Sequence, residues 1–479
     1  MVVQQTADPV IDKLLKNDPT PWYRRPNLRL LYLFMVPSCL FIEATSGFDS
    51  ALMNGVQSLK YWRVFFNNPS GAELGILTAS YSLGSLTALP FVSYLADHVG
   101  RRASVVFGSV VMIVVGMWIA ARLILGHGIT YAIVAGATLI GELCHPRERG
   151  IMGSLFNACF SGGAVIAAGI TLRTLKVQND WSWRLPSLLQ AAPSVIQLTT
   201  IYLIPESPRW LVSKGRADEA LNILIKYHAE GDSTAELPRV ELAQIKAALE
   251  MEDESRKRGW VELFQTPGMR RRTMITTALG LFIQLSGISL VTNYLVLILR
   301  QIGYTDPFVQ LKLNLGYLAW GFVVAVSLGL FVTRFPRRRM FLLCVSCLLV
   351  VFTSWTIAQE RQLRTGSTSA GIAVIVFIFL YSPAVSIGYN ALTYVYIIEL
   401  WPYYLWARAA GFFSTFVNPI GLKSIGWRWY IVYIMFLILT WVFIYLFFPE
   451  TYNRTLEELT FCKFQCFLWD AARLTSSSV

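Results

Sequence analysis

Asp49 sits in "GFDSALMNG", residues 47–55, near the far end of an apolar run that begins around Leu30. A charged side chain at bilayer depth costs roughly 2.5–3.5 kcal/mol on insertion scales, so it faces a cavity or a partner. Arg122 of "ARLILGHG" is the one charge deep in the apolar block 103–143 and fits as that partner. The bland alternative leaves Asp49 at the outer end of its span, merely meeting water. Glu43, one and a half turns earlier, has no such match and stays unassigned. A second set of charges lies at the ends of apolar blocks: Glu142 with Arg149, and Glu399 with Arg408, opposite in sign and about two helical turns or fewer apart. Such pairs can latch the ends of helix bundles, although exposed pairs add only about 0–1 kcal/mol each.

Other chemistries are missing their motifs. There is no phosphate-cradling "GxxxxGK[ST]", no "HExxH" and no "GxSxG", and the four histidines are not paired at ligand spacing, so an enzyme is not expected. "CVSC" at Cys344 and Cys347 falls inside an apolar block and reads as small packing residues; no cofactor and no metal is implied. Acylation of Cys462 and Cys466, just past the last block, is not expected either.

The elements that must position these residues are membrane spans. The 479-residue chain is 54% hydrophobic and 14% aromatic with 15% charged residues, against about 25% charged in soluble domains. Apolar blocks lie near 30–53, 73–96, 103–143, 151–172, 185–204, 273–299, 313–333, 340–358, 370–397, 409–424 and 427–448. Each is read as helix, and twelve spans result if 103–143 folds as a pair. The net charge of +12 gathers in "YRRPNLR", "HVGRR", "HPRERG", "SPRWLVSKGR", "RKRGW…GMRRR" and "RFPRRR". These occupy alternate connections, as cytoplasmic loops do, and leave no basic stripe for nucleic acid.

The long polar connection 205–272 stands at the midpoint and carries two amphipathic helical patterns, "GRADEALNILIKYHAE" and "ELAQIKAALEMEDESRKRG". The expected organisation is a cytoplasmic tail over 1–29, six spans over 30–204, the central loop 205–272, six spans over 273–448 and a cytoplasmic tail over 449–479. The tail 1–29 has no apolar core and is not a cleaved leader. With both termini in the cytosol, the sequon at Asn453 goes unused. The halves also echo one another. "DHVGRR" (97–102) answers "TRFPRRR" (333–339), "GELCHPRERG" (141–150) answers "IELWPYYLWARAAG" (398–411), and "PESPRWL" (205–211) answers "PETYNRTLEEL" (449–459). Two duplicated six-span halves are the pattern of transporters that rock around a midplane site.

"PESPRWL", "FVNPIGLKSIGWRWYIVY" and the closing "PET…RTLEE" in this order make the chain from Arg29 to Leu459 resemble the sugar-porter branch of the major facilitator superfamily, and fungal members of the lactose-permease and hexose-transporter kind in particular. The resemblance implies an all-α membrane protein of twelve helices in two bundles, a monomer in the plasma membrane, moving a sugar with a proton. "GFDSALMNG" is similar to the family's "GYDxxVxSG", whose aspartate takes up the proton and pairs with the fourth-span arginine; this implies proton coupling through Asp49 and Arg122. It also implies a cytoplasmic gate of Asp97, Gly100, Arg101, Arg102, Glu142, Arg149, Glu206, Arg209, Glu399 and Arg408. In that motif Asp97 caps a helix end, Gly100 permits the tight reversal, and Arg101 and Arg102 face the cytosol.

The implied sugar site is a partial match. "IQLSGISLVTNYL" (283–295) keeps Gln284, Gly287 and Tyr294 of the family's "QQxxGINxxxYY" but has Ile283, Ser289 and Asn293 in place of Gln, Asn and Tyr. Asn157 stands for a fifth-span Gln, Gly321 for an eighth-span Asn, and Tyr394 for a stacking Trp, while Asn314 is kept. The substrate is then a mono- or disaccharide, or another sugar-like solute, bound by Asn157, Gln284, Ser289, Asn293, Tyr294, Asn314 and Tyr394.

Two spans are short. The 41 positions from Ala103 to Leu143 must supply a third span, a turn and a fourth, yet two crossings of a ~30 Å core use about 40 residues. The eleventh span is expected to have about 16 residues, under the usual minimum. A sugar sensor of the same fold and a transport-inactive relative are therefore the alternatives; the brief tail after Leu459 speaks against the sensor.

Overall fold

In lipid an apolar segment must satisfy its own backbone N–H and C=O groups, which leaves helices or closed barrels. The computed structural model describes residues 9–18, 20–113, 118–256, 267–331, 336–390 and 404–448. Among them every regular element is helical.

A short α1 (Pro9–Asn17) precedes α2 (Pro26–Met35), which continues through a wide π turn at Val36–Leu40 into α3 (Phe41–Val56). Pro37 lies in that turn; its missing N–H is what a wide turn absorbs without breaking the helix. After the one-turn α4 (Lys60–Phe65) come α5 (Ala72–Val99), α6 (Arg101–Ile113), α7 (Trp118–Leu143) and α8 (Arg149–Thr174). The sixth crossing is broken into α9 (Trp181–Leu189) and α10 (Ala192–Thr200). The central connection folds as α11 (Pro208–Ser213), α12 (Ala217–His228) and α13 (Glu236–Arg256), in agreement with its amphipathic patterns.

The second half opens with α14 (Pro267–Ile283), a π turn at Gln284–Ile288, and α15 (Ser289–Gln301). It continues with α16 (Pro307–Phe331), α17 (Arg337–Thr365), α18 (Thr368–Val385), α19 (Tyr404–Ile425) and α20 (Trp429–Phe447).

Nine stretches among the described residues are long and apolar enough to cross a membrane. The twelve-helix plan is reached by adding α6, adding the broken α9–α10 pair, and dividing the stretch Phe413–Phe447 at the turn Gly426–Arg428 between α19 and α20. Large apolar side chains such as Leu33, Phe91, Val350, Ile357 and Met435 are exposed on these helices, as lipid-facing positions are.

The described part of α6 has 13 residues, about 20 Å of helix, and residues 114–117 after it lie outside the described ones. α19 has 22 residues, enough for about 33 Å. The eleventh span is thus longer than the expected 16 residues: its described helix takes in Tyr404 and Arg408, residues expected in the connection before it.

Within the first half α3 packs on α8, and α7 on both α5 and α6. The approach is backbone to backbone. A Cβ on Gly47 would lie 1.8 Å from the Phe160 carbonyl oxygen, and one on Gly126 would lie 1.9 Å from that of Tyr81. Small residues of this kind are how helices associate where lipid removes the hydrophobic drive. Between the halves, α8 meets α16 and α5 meets α19, and α3 meets α15. The site lies along these seams.

Candidate functional site

Asp49 is buried at 1% exposure on α3 and Arg122 at 6% near the start of α7. The guanidinium donates twice to the carboxylate, Nη1 to Oδ1 at 3.1 Å and Nη2 to Oδ2 at 3.0 Å. Two parallel bonds fix the planes of both groups, a geometry that lysine would not supply. The close α5–α7 packing at Gly126 and at Gly84, whose Cβ would fall 1.9 Å from the Leu123 carbonyl oxygen, is what brings Arg122 to α3. Asp49 is therefore not an outer-end carboxylate meeting water.

A third group completes this centre. Gln190 Nε2 donates to Asp49 Oδ1 at 2.8 Å from the junction between α9 and α10. Gln197, one helix further, donates to Thr45 at 3.1 Å and accepts from Ser109 at 3.0 Å, tying α10 to α3 and α6. Neither amide was found from the sequence. The available signal was a pair of glutamines inside an apolar block beside Pro193.

The residues expected to hold a sugar fall into two groups. Gln284 and Ser289 are together, the serine hydroxyl 3.4 Å from Gln284 Oε1, and the Gln284 carbonyl accepts from Ser414 of α19 at 3.2 Å. Asn157 lies half-buried on α8. Toward the other end of α15, Tyr294 is fully buried and donates to the Thr415 carbonyl at 2.8 Å. The Asn293 carbonyl accepts from Gln57 at 2.9 Å, and Asn314 Oδ1 accepts from Asn54 at 2.9 Å. Gln57 and Asn54 were not singled out from the sequence. Tyr394 lies outside the described residues. The helix is broken where the motif sits: Gly287 has φ 92° and Tyr294 has φ −130°, ψ 17°. Gly287 is needed there, since a Cβ would strike Phe352 at 2.6 Å on a backbone that L side chains avoid.

At the end bearing the basic connections, seven of the expected gate residues come together. Arg101 donates to Asp97 at 3.3 Å and to the Ala96 carbonyl at 2.8 Å, and its Nε lies 3.7 Å from Glu142. Glu206 receives the Arg102 amide at 3.2 Å, so the acid that caps the start of α6 is Glu206, and Asp97 serves instead as acceptor for Arg101. Gly100, at φ 113°, makes room for this: a Cβ would sit 2.8 Å from Glu206 Oε2. Ser207 donates to Glu142, and Arg209 stands in the field of the same carboxylate.

The pairing of Glu142 with Arg149 is corrected. Glu142 lies in the last turn of α7 and Arg149 begins α8 after an intervening turn; Arg149 is exposed, its charge acts on Cys144 and Glu241, and Arg101 takes Glu142. Glu399 lies outside the described residues, and so does the side chain of Arg408.

A buried polar cluster beneath this network was not anticipated. Arg25 Nη1 donates to His145 Nε2 at 3.3 Å and to the His228 carbonyl at 3.1 Å, and the two imidazoles are 5.4 Å apart. His228 meets Glu241 at 2.6 Å, and Arg147 holds the carbonyls of Leu15, Asp18 and Thr20. These bonds fasten α12, α13 and the α1 segment under the first bundle.

Two helical halves, a buried ion pair in one of them and a broken helix in the other define a multi-pass membrane transporter fold. The sequence pattern of the family described as "Sugar (and other) transporter" matches residues 35–461, and the chain belongs to that family. It is 25% identical over 450 residues to the high-affinity glucose transporter 1 of Candida albicans, covering 86% of this chain and 82% of that one. It is also 25% identical to the arabinose-proton symporter of Bacillus subtilis, over 93% of this chain and 99% of the relative. The fold is that of the proton:xylose symporter XylE solved with 6-bromo-6-deoxy-D-glucose, with a TM-score of 0.75 at 21% identity over 90% of this chain and 99% of that chain.

Proposed function

We propose that this protein carries a monosaccharide-class sugar across the plasma membrane together with a proton, by alternating access of its two bundles. The observation that supports this most is the Asp49–Arg122 pair, buried at span depth and fastened by Gln190. Relatives named for glucose transport and for arabinose–proton symport agree with it. Ionised, Asp49 holds Arg122 in a bidentate grip. Protonated, it loses the charge that the guanidinium answers, and Arg122 is released to the residues of the seam. Sugar hydroxyls are met by amides and hydroxyls from α8, the π turn after α14, α15 and α16: Asn157, Gln284, Ser289, Asn293 and Asn314, with Tyr294 and Tyr394 as aromatic neighbours. The network around Arg101, Glu142 and Glu206, with Glu399 and Arg408, closes the cytoplasmic side. The tails 1–29 and 449–479 and the loop 205–272 face the cytosol, the bundles are 30–204 and 273–448, and the protein acts as a monomer.

The test is uptake of labelled glucose, xylose, arabinose and lactose by yeast lacking its own sugar carriers, with and without a protonophore. Saturable uptake that collapses with the protonophore is expected, and Asp49→Asn should abolish accumulation while leaving exchange of labelled for unlabelled sugar. Uptake indifferent to the protonophore removes the proton from this reading. No uptake by protein present at the surface removes transport.

A further inference from the structure

At the face opposite the Arg101 network, the two bundles carry arginines that no acid answers. Arg300 lies half-buried in the last turn of α15, and its Nη2 donates to the carbonyl of Gln57, the residue that ends α3, at 2.6 Å. Arg63 lies on the one-turn α4 that follows; it is half-buried too, and its Nε is buried with no hydrogen-bond partner. The two guanidiniums stand near enough for their charges to act on one another. Lys60, one turn before Arg63, and Lys423 of α19, which donates to Ser70 at 3.1 Å, are exposed and add charge of the same sign. Among the described residues no carboxylate forms an ion pair with Arg63, Arg300, Lys60 or Lys423. The acids of this face are engaged elsewhere or stand apart. Asp180 pairs with Arg184 at 3.2 Å, Glu360 pairs with Arg364, Asp306 accepts the Phe308 amide at 3.0 Å, and Glu73 is exposed in the first turn of α5.

Insertion does not account for these cations, since the positive-inside rule gathers Lys and Arg on the opposite face. Two guanidiniums held together away from bulk water repel one another, and an anion between them is the group that offsets this cost. A carboxylate suits the place, because each guanidinium is a planar fork that matches its two oxygens. We infer that Arg63 and Arg300 form an anion site at the outer mouth, and that the preferred solute is a sugar carrying a carboxylate, a uronate or an aldonate. The carboxylate is caught at the head of the path, and the hydroxyls of the same solute are left for the amides of the seam. One carboxylate entering with one proton on Asp49 moves no net charge, so a pH difference drives uptake and the membrane potential adds nothing. The substrate class rests on the transporter reading; the anion site does not.

Glucose and glucuronate differ at a single carbon, hydroxymethyl against carboxylate, and make the comparison. In yeast lacking its own sugar carriers, at about pH 5.5 where a carboxylate is ionised, labelled glucuronate should show a KM about tenfold below that of glucose, the scale of one charge-assisted hydrogen bond. Arg63→Gln and Arg300→Gln should each raise the glucuronate KM about tenfold and leave the glucose KM within about twofold. Equal KM values for the two sugars, or variants that raise both alike, overturn the inference. The purified parent protein gives a second reading that needs no variant. Glucuronate should raise its melting temperature in detergent more than glucose does, and the excess should shrink as salt is raised from about 0.05 to about 0.5 M. No such excess overturns the site, even where the variants fail to reach the surface. An excess that chloride reproduces at equal concentration marks a site for any small anion and overturns the carboxylate preference. A salt-sensitive glucuronate shift in protein that takes up neither sugar leaves the anion site standing and removes the transport reading; glucose uptake with no preference for glucuronate does the reverse.

Discussion

Asp49 and Arg122 are each difficult to bury and are stable only as a pair. Removing one partner of a buried ion pair costs about 3–5 kcal/mol, because the survivor is left charged in a medium that cannot solvate it. Arg122→Ala should therefore lower the melting temperature in detergent and the amount of protein at the surface. Asp49→Asn should be milder, since a neutral amide still accepts from the guanidinium. The double substitution Asp49→Asn with Arg122→Gln should recover much of what Arg122→Ala loses. A melting temperature for Arg122→Ala equal to that of the parent would mean that the two side chains are not buried together. This pair was legible in the sequence because charges inside apolar runs are rare and each demands an explanation. Gln190, Asn54 and Gln57 were not. An uncharged amide in a span is tolerated at small cost, its average contribution to helix contacts is about 0.6 kcal/mol, and nothing local shows which of many it will meet.

At the scale of helices, the order and type of the elements followed from apolar block lengths, while the breaks did not. The π turn at Pro37, the interruption between α9 and α10 and the kink at Tyr294 depend on what packs beside them. Backbone contact between α5 and α7 sets where Arg122 stands. Gly126→Val would press side-chain atoms against the Tyr81 carbonyl, so Gly126→Val is expected to cut surface expression severalfold. Gly141→Ala, with nothing within 4 Å of its Cβ, should leave expression unchanged; equal behaviour of the two would count against the close packing.

The helices of the central connection carry a pH dependence of their own. Burial, and then the charges of His228 and Arg25, hold the His145 imidazole below its ordinary value near 6.5, although Glu148 acts to raise it. Released from the cluster, His145 binds a proton more readily than when docked, so docking weakens as pH falls below about 6.5 and is fully present above it. Limited proteolysis of the connection 205–272 should accelerate as the pH falls from about 6.5 to about 5, and His145→Gln should flatten that step.

For the whole molecule, the sequence made the two-bundle plan legible through the repeated motifs and the basic connections, because charge placement acts on the entire chain during insertion. The conformation of the chain was not legible, since it depends on which end of the seam carries the better hydrogen bonds. Orientation can be tested on both faces at once. Thr305, between α15 and α16, and Ser213, at the end of α11, are both exposed and lie on opposite sides in this plan. Thr305→Cys should react with an impermeant thiol reagent on intact cells, whereas Ser213→Cys should react only after permeabilisation. The free cysteines among the described residues are buried or half-buried and give a low background from outside. Reversal of the two results would invert the membrane orientation. The network around Arg101 and Glu142 would then face the exterior, and the proposed coupling through Asp49 would not drive accumulation in the cell.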